Sequence, residues 1–120
     1  MTRLPRLLVF SSIAMIMSAV TAPATGASRV TGLNLLNGTG ETMTALFIRR
    51  TGTQNWQSLP AKPARAARAA IPFTDVDCAF DIRATLEDGR DAVWRDVNLC
   101  EVKLLTLNRN GSGATWVDYD

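Results

Sequence analysis

The stretch C-A-F-D-I-R-A-T-L-E-D-G-R-D-A-V-W-R-D-V-N-L-C, Cys78 to Cys100, holds both cysteines of the chain, one at each end of two alternating runs about Asp88-Gly89. In the first run Cys78, Phe80, Ile82, Ala84 and Leu86 alternate with Ala79, Asp81, Arg83 and Thr85, the period-two pattern of a half-buried strand. E-D-G-R then reads as a turn, because glycine tolerates the positive φ that tight hairpins require. The return strand is R-D-A-V-W-R-D-V-N-L. A two-residue turn at Asp88-Gly89 pairs Ala84 with Val93, Phe80 with Val97 and Cys78 with Leu99, which buries the apolar face except at Arg95. That register is one residue out of step with direct opposition of Cys78 and Cys100. Shifting the whole hairpin would turn Val93, Val97 and Leu99 outward. The sequence therefore predicts a bulge near Arg95-Asp96, or a strand that ends before Cys100 so that the sulfur swings across at the rim.

Outward from this hairpin, V-T-G-L-N-L-L-N reads as a strand running into the turn cluster N-G-T-G, and T-M-T-A-L-F-I-R-R as the next strand. Met43, Leu46 and Ile48 break strict alternation, so an irregularity is expected near Thr44-Ala45. A polar, proline-punctuated loop carrying Trp56 follows. Residues 64–71 are ambiguous: R-A-A-R-A-A favours helix by propensity but is too short to stand alone, and a strand over Ala67 to Phe73 is preferred to a short helix. After Cys100, V-K-L-L-T-L-N, the turn N-G-S-G and A-T-W-V-D-Y form a second hairpin. Six or seven short strands between turn clusters predict an all-β fold, a small antiparallel β-sandwich or incomplete barrel with one disulfide.

At the front, Arg3 and Arg6 precede an apolar or small run, Leu7 to Val20, and then T-A-P-A-T-G-A. This is the layout of a signal peptide, residues 1–27, cut after Ala27 or else after Ala24. The rival reading is a membrane anchor, but the run is shorter than the ~20 apolar residues of a spanning helix and Pro23 and Gly26 break its end, so no membrane span is expected after cleavage. Arg3 and Arg6 are not adjacent, so the general secretion route is expected. Two of the 13 basic residues and none of the 11 acidic ones lie in this leader, which leaves residues 28–120 formally neutral as a single domain. The net charge of +2 thus gives no case for nucleic acid as a partner. A periplasmic or secreted location makes a Cys78–Cys100 disulfide the simplest fate of two thiols, with two buried free thiols as the alternative.

Chemistry is sparse. The chain has no histidine, which removes the commonest general base and transition-metal ligand. Ser58 and Ser112 lack a nucleophile-elbow motif. Asp75 with Asp77, or Glu87, Asp88 and Asp91, offer carboxylates for acid/base work or for calcium, but beside turns they read first as solvated loop residues. No cofactor or metal is expected. The tripeptides Asn37-Gly38-Thr39 and Asn110-Gly111-Ser112 fit a glycosylation acceptor formally and a turn more simply. Trp94 and Trp116 fall in predicted strands, where packing is the default, and Trp94 is placed beside Arg83 on the polar face. Trp56 sits in a polar loop, where it either anchors a ligand or partner or folds back over the sandwich edge. Arg49 and Arg50, with Lys62, Arg65 and Arg68, form either a basic patch or ordinary solubilising charge.

The segments N-G-T-G-E-T-M-T-A-L-F-I-R-R-T-G-T-Q-N-W, C-A-F-D-I-R-A-T-L-E-D-G-R and V-N-L-C together resemble a group of small exported proteobacterial proteins, often described only as Tat-pathway signal proteins. The group's pattern joins an N-x-[ST]-G turn, a strand, a tryptophan loop and C-x-x-D-[LI]-R…D-G-R…V-[DN]-L-C. This chain departs from it in lacking a twin arginine, in Gln57 where a glycine follows the tryptophan, and in the A-K-P-A-R-A-A-R segment, which has no glycine pair. The resemblance implies a compact β-sandwich without established activity, cofactor or catalytic residue. Residues and resemblance together lead to the expectation of an exported, non-enzymatic domain that binds a partner protein or envelope component through Trp56, Arg49 and Arg50. The competing expectation is a histidine-free hydrolase or lyase built on carboxylates and arginines.

Overall fold

The structure is a computed structural model that describes Arg3 and residues 27–120; the expected leader lies outside the described residues save for Arg3 and Ala27. Eight strands follow in order: β1 (Leu33–Gly38), β2 (Met43–Arg50), β3 (Gln57–Ser58), β4 (Arg68–Ile71), β5 (Ala79–Leu86), β6 (Asp91–Asn98), β7 (Leu105–Arg109) and β8 (Thr115–Tyr119). They form two four-stranded sheets, β4-β1-β7-β8 and β3-β2-β5-β6. The described part is all-β, as the alternation predicts, with two departures: the strands number eight and not six or seven, because the expected Trp56 loop holds the short β3, and β1 runs parallel to β7. The R-A-A-R-A-A segment is not helical. Ala66 takes a φ of 61°, which ends any right-handed run, and β4 pairs antiparallel with β1.

The parallel pair follows from where the N-G-T-G turn leads. It does not close a hairpin but carries the chain from one sheet to the other. Asn37, at an inward position of β1, is fully buried. Its Oδ1 accepts from the Thr39 N–H at 3.0 Å and the Thr39 hydroxyl at 2.6 Å, while its Nδ2 donates to the carbonyls of Glu41 (2.7 Å), Pro63 (3.0 Å) and Ala64 (3.2 Å). A buried amide is tolerated only when so satisfied, and this one ties the crossover to the proline loop. Next to it, a Cβ on Gly38 would meet the Asn108 side chain and lie 3.2 Å from both Leu107 O and Thr106 Cγ2. Gly38→Ala is therefore expected to cost about 1–3 kcal/mol by overpacking the β1–β7 contact, seen as a lowered melting temperature. An unchanged melt would show that β7 yields freely there.

In the β5–β6 hairpin the structure corrects the predicted turn. The Leu86 N–H donates to Arg90 O at 2.8 Å and the Gly89 N–H to Leu86 O at 2.9 Å, with Gly89 at φ 84°. The loop thus has three residues, Glu87-Asp88-Gly89, a common hairpin form with its last residue left-handed. Ala84 accordingly faces Ala92, not Val93, and Ile82 faces Trp94. Trp94 turns inward, 2% exposed, and its indole N–H donates to Asn108 O at 2.9 Å, so it does not stack beside Arg83. The register then shifts opposite Asp81, at Arg95-Asp96 as the cysteine spacing predicts, with Asp96 at φ 52°. Beyond the bulge Phe80 faces Val97 and the Leu99 N–H donates to Cys78 O at 2.9 Å. β6 ends at Asn98, ahead of Cys100. The bulge offsets the three-residue loop and restores the pairing of Phe80 with Val97, and the end of β6 ahead of Cys100 lets that residue reach Cys78 in a disulfide at a Cα separation of 5.2 Å. The expected irregularity in β2 falls between Met43 and Ala45.

Leu35, Met43, Leu46, Ile48, Phe80, Ile82, Leu86, Trp94, Val97, Leu105 and Leu107 fill the space between the sheets, each contributing up to about 1.5–3 kcal/mol of burial before entropy is counted. The edge strands β6 and β8 lie against one another without a ladder. Instead the Thr115 hydroxyl donates to Val93 O at 2.7 Å and the Asn98 N–H donates to the Tyr119 hydroxyl at 3.2 Å. This seam joins the two sheets along one edge of the sandwich.

Candidate functional site

The outer face of the β3-β2-β5-β6 sheet gathers the residues of interest. Alternation sends Leu46 and Ile48 of β2 to the core and Phe47 and Arg49 outward; on β5, Arg83 lies opposite Phe47 and Asp81 opposite Arg49. The short strand β3 pairs Gln57 with Ile48 and Ser58 with Phe47, so the Trp56 loop is drawn over this face. Its ring is half-buried. Arg49 Cζ lies 4.3 Å and Arg83 Cζ 4.6 Å from the Trp56 centroid, and Arg83 Cζ lies 4.7 Å from the Phe47 centroid. Two guanidiniums thus share one indole, at distances where cation–π attraction is significant.

The two differ in their other partners. Arg49 Nε meets Asp81 Oδ2 at 2.9 Å, with side-chain exposures of 14% and 4%. Asp81 Oδ1 accepts from the Thr51 hydroxyl at 3.2 Å and from the Asp96 N–H, freed by the bulge, at 3.0 Å. Burial opposes ionisation of Asp81, but the bonds from the Asp96 N–H, Arg49 and Thr51 together outweigh it and hold the carboxyl below the usual carboxylate range. Among the described residues Arg83 has neither a carboxylate within 4.0 Å nor a hydrogen-bond acceptor. It is half-buried beside the two rings.

Arg50, at the end of β2, points elsewhere. Its Nη2 meets Asp75 Oδ1 at 2.9 Å and its Nε meets Asp77 Oδ2 at 3.1 Å. The hydrogen bond that Arg50 donates to Asp75, the charge of Asp75 and that of Asp77 raise the Arg50 pKa. Burial works against the Asp75 carboxylate, yet the Asp77 N–H and Arg50 lower its pKa on balance. Asp75 and Asp77 are thus counterions to one arginine and not a free carboxylate pair. Glu87, Asp88 and Asp91 do not converge either: Asp88 Oδ1 accepts from the Arg90 N–H at 2.9 Å and Asp91 Oδ1 from the Thr85 hydroxyl at 2.8 Å. Among the described residues no three acidic or cysteine side chains gather as metal ligands would. Arg68 lies on β4, in the other sheet from Arg49 and Arg50. Asn37 is buried, and Asn110 Oδ1 caps its own turn by accepting from the Ser112 and Ala114 N–H groups.

Beside the Trp56 face, a cleft of 360 Å³ opens between the Thr53–Gln57 loop and Phe73-Asp75, with Ile48 and Phe80 at its floor. Of the residues singled out from sequence, the structure brings Arg49 to Trp56 and directs Arg50 away from it. Sequence reasoning missed Phe47 and Arg83 as members of the stack. Their outward parity was readable, but which residues they meet depends on the β2–β5 register and on a loop contact.

The fold defines the chain first as a two-sheet, disulfide-linked β-sandwich. No family model matches it, and no curated protein matches its sequence. It is similar in fold to a solved structure, the NMR structure of the protein from Eubacterium rectale, with a TM-score of 0.53 at 11% identity over 76% of this chain and 88% of that one. At that identity the likeness is one of fold alone. Disulfides persist where thiols are not kept reduced, so the bonded pair suggests a non-reducing compartment. Among the described residues no helix is long and apolar enough to cross a membrane.

Proposed function

We propose that this is an exported, non-catalytic binding domain of the periplasm or extracellular space, and that its Trp56 face recognises a carboxylate or phosphate on a partner protein or envelope component. One observation carries the reading: Arg83 is clamped by Trp56 and Phe47 at 4.6 and 4.7 Å while its donors lack an acidic partner among the described residues. Stacking fixes the guanidinium plane, so little rotamer entropy remains to be lost when a planar anion binds it. Arg49, locked to Asp81, acts as a positioning residue that holds Trp56. Asp75, Asp77 and Asp81 are engaged as arginine counterions, Asp88 caps its own turn and the cysteines are bonded, which supports binding over hydrolysis or elimination.

The test is cross-linked co-purification from the native envelope with wild type, Trp56→Ala and Arg83→Ala. Both variants are expected to lose the same species, and polyglutamate to compete for it. Loss of a charge-assisted contact of about 1.5–3 kcal/mol corresponds to roughly tenfold weaker capture or more. Protease treatment of the extract separates a protein partner from an anionic envelope component. An identical captured set in all three proteins rejects the assignment of this face.

A further inference from the structure

A second site, independent of the Trp56 face, lies along the β6–β8 seam. Of the large hydrophobic side chains among the described residues, Val76, Trp116 and Tyr119 are exposed, and both aromatics line one cleft of 270 Å³ together with Trp94, Arg95, Thr115 and Val117. Trp116 and Tyr119, 46% and 48% exposed, meet on one cleft, and aromatic groups with a polar handle gathered in this way are typical of binding surfaces. We propose that this cleft is a saccharide site that takes one pyranose ring against Trp116.

The lining selects that chemistry by what it offers and by what it refuses. The electron-rich face of an indole attracts the weakly positive C–H face of a sugar ring. The hydroxyls around that ring need donors and acceptors at its rim, and the cleft has them in surplus. Arg95 has no ion-pair or hydrogen-bond partner among the described residues. The Tyr119 hydroxyl accepts from the Asn98 N–H at 3.2 Å and keeps its own proton to donate. The Thr115 hydroxyl donates to Val93 O at 2.7 Å and keeps lone pairs to accept. Backbone groups add to this. Leu104 and Asp120 exchange hydrogen bonds, at 3.3 and 3.0 Å, and alternation along an antiparallel ladder then turns the N–H and C=O of Val117 away from β7, to the open edge.

Other occupants fit worse. A quaternary ammonium would favour the rings but meets Arg95 in the same cleft. An added peptide strand needs ~4.7–4.9 Å on each side, whereas the Thr115 hydroxyl already spans the two edges with a 2.7 Å bond. A volume of 270 Å³ falls just below the ~300–1,000 Å³ of drug-sized pockets, which suits a single ring of a longer chain better than an acyl tail.

The protein would be titrated with glucose, N-acetylglucosamine and glucuronic acid, followed by tryptophan fluorescence, and co-sedimented with cellulose, chitin and purified peptidoglycan. Saturable binding to at least one of these is expected. Trp116→Ala should weaken it about tenfold, the scale of a lost aromatic contact, and Arg95→Ala should weaken it without touching the stack. Trp56→Ala and Arg83→Ala should bind as wild type, which keeps this proposal separate from the preceding one. No binding to any of the six probes overturns it. So does binding that survives both Trp116→Ala and Arg95→Ala, or tighter saturation by tetramethylammonium than by any sugar.

Discussion

Replacing Asp81 with alanine should destabilise the domain by about 3–5 kcal/mol, the scale found when one member of a buried ion pair is removed. Arg49 would keep its charge at 14% side-chain exposure with no counterion, and the Asp96 N–H, held now at 3.0 Å by Asp81 Oδ1, would lose its acceptor at the bulge. Equilibrium denaturation by urea at pH 7 measures the loss. Asp81→Asn should cost less, since an amide oxygen can still accept from Asp96. Acid separates charge from shape. The native Asp81 pKa is depressed below its unfolded value, so the ionic contribution is fully present above the unfolded value of about 3.9 and is lost as pH falls through the lower native one. The stability gap between wild type and Asp81→Asn should therefore hold constant from neutrality down to that region and close below it. A gap that widens in acid would mean that the carboxylate is not the stabilising form.

Removing the disulfide with Cys78→Ser and Cys100→Ser together should cost about 3 kcal/mol for a closed loop of this length in the chain-entropy treatment, over a sequence separation of 22. Small domains have a total margin of only about 5–15 kcal/mol. At roughly 4–8 °C per kcal/mol for a domain of this size, the melting temperature should fall by well over ten degrees, and reductant should reproduce the fall in the wild type. A reduced protein that melts within a few degrees of the oxidised one would show that the bulge and core alone hold the open end of the β5–β6 hairpin.

The fold was legible where side-chain period and covalent constraint spoke together. The alternation from Phe80 to Leu86 marked β5, and the disorderly Met43–Leu46 spacing marked the irregularity in β2; the mismatch of Cys78 and Cys100 pointed to a bulge at Arg95-Asp96, whose work in the fold is to offset the three-residue loop. The turn was misread by one residue because Asp88-Gly89 suits a two-residue loop as well as the last two positions of a three-residue one. The correction was present in β6 itself: Ala92 and Trp94 share one parity, Val97 and Leu99 the other, and only a bulge between them buries all four. Other features had no local signal. Nothing near Asn37 indicates a buried amide, because its partners at Pro63 and Ala64 are distant in sequence. The stack on Trp56 was half legible: the tryptophan, Arg49 and Arg50 stood out by type, while Arg83 acquires its place from a strand register and Arg50 pairs with Asp75 and Asp77 instead of the indole.

The parallel union of β1 with β7 also dictates an order of events. The earliest described strand cannot complete its hydrogen bonding until nearly the last has emerged, whereas the β5–β6 ribbon needs only its own residues. Contacts this distant along the chain slow the search for the native state. In a nascent polypeptide the β4-β1-β7-β8 sheet should thus close only once its final hairpin is free, well after the β5–β6 ribbon has formed.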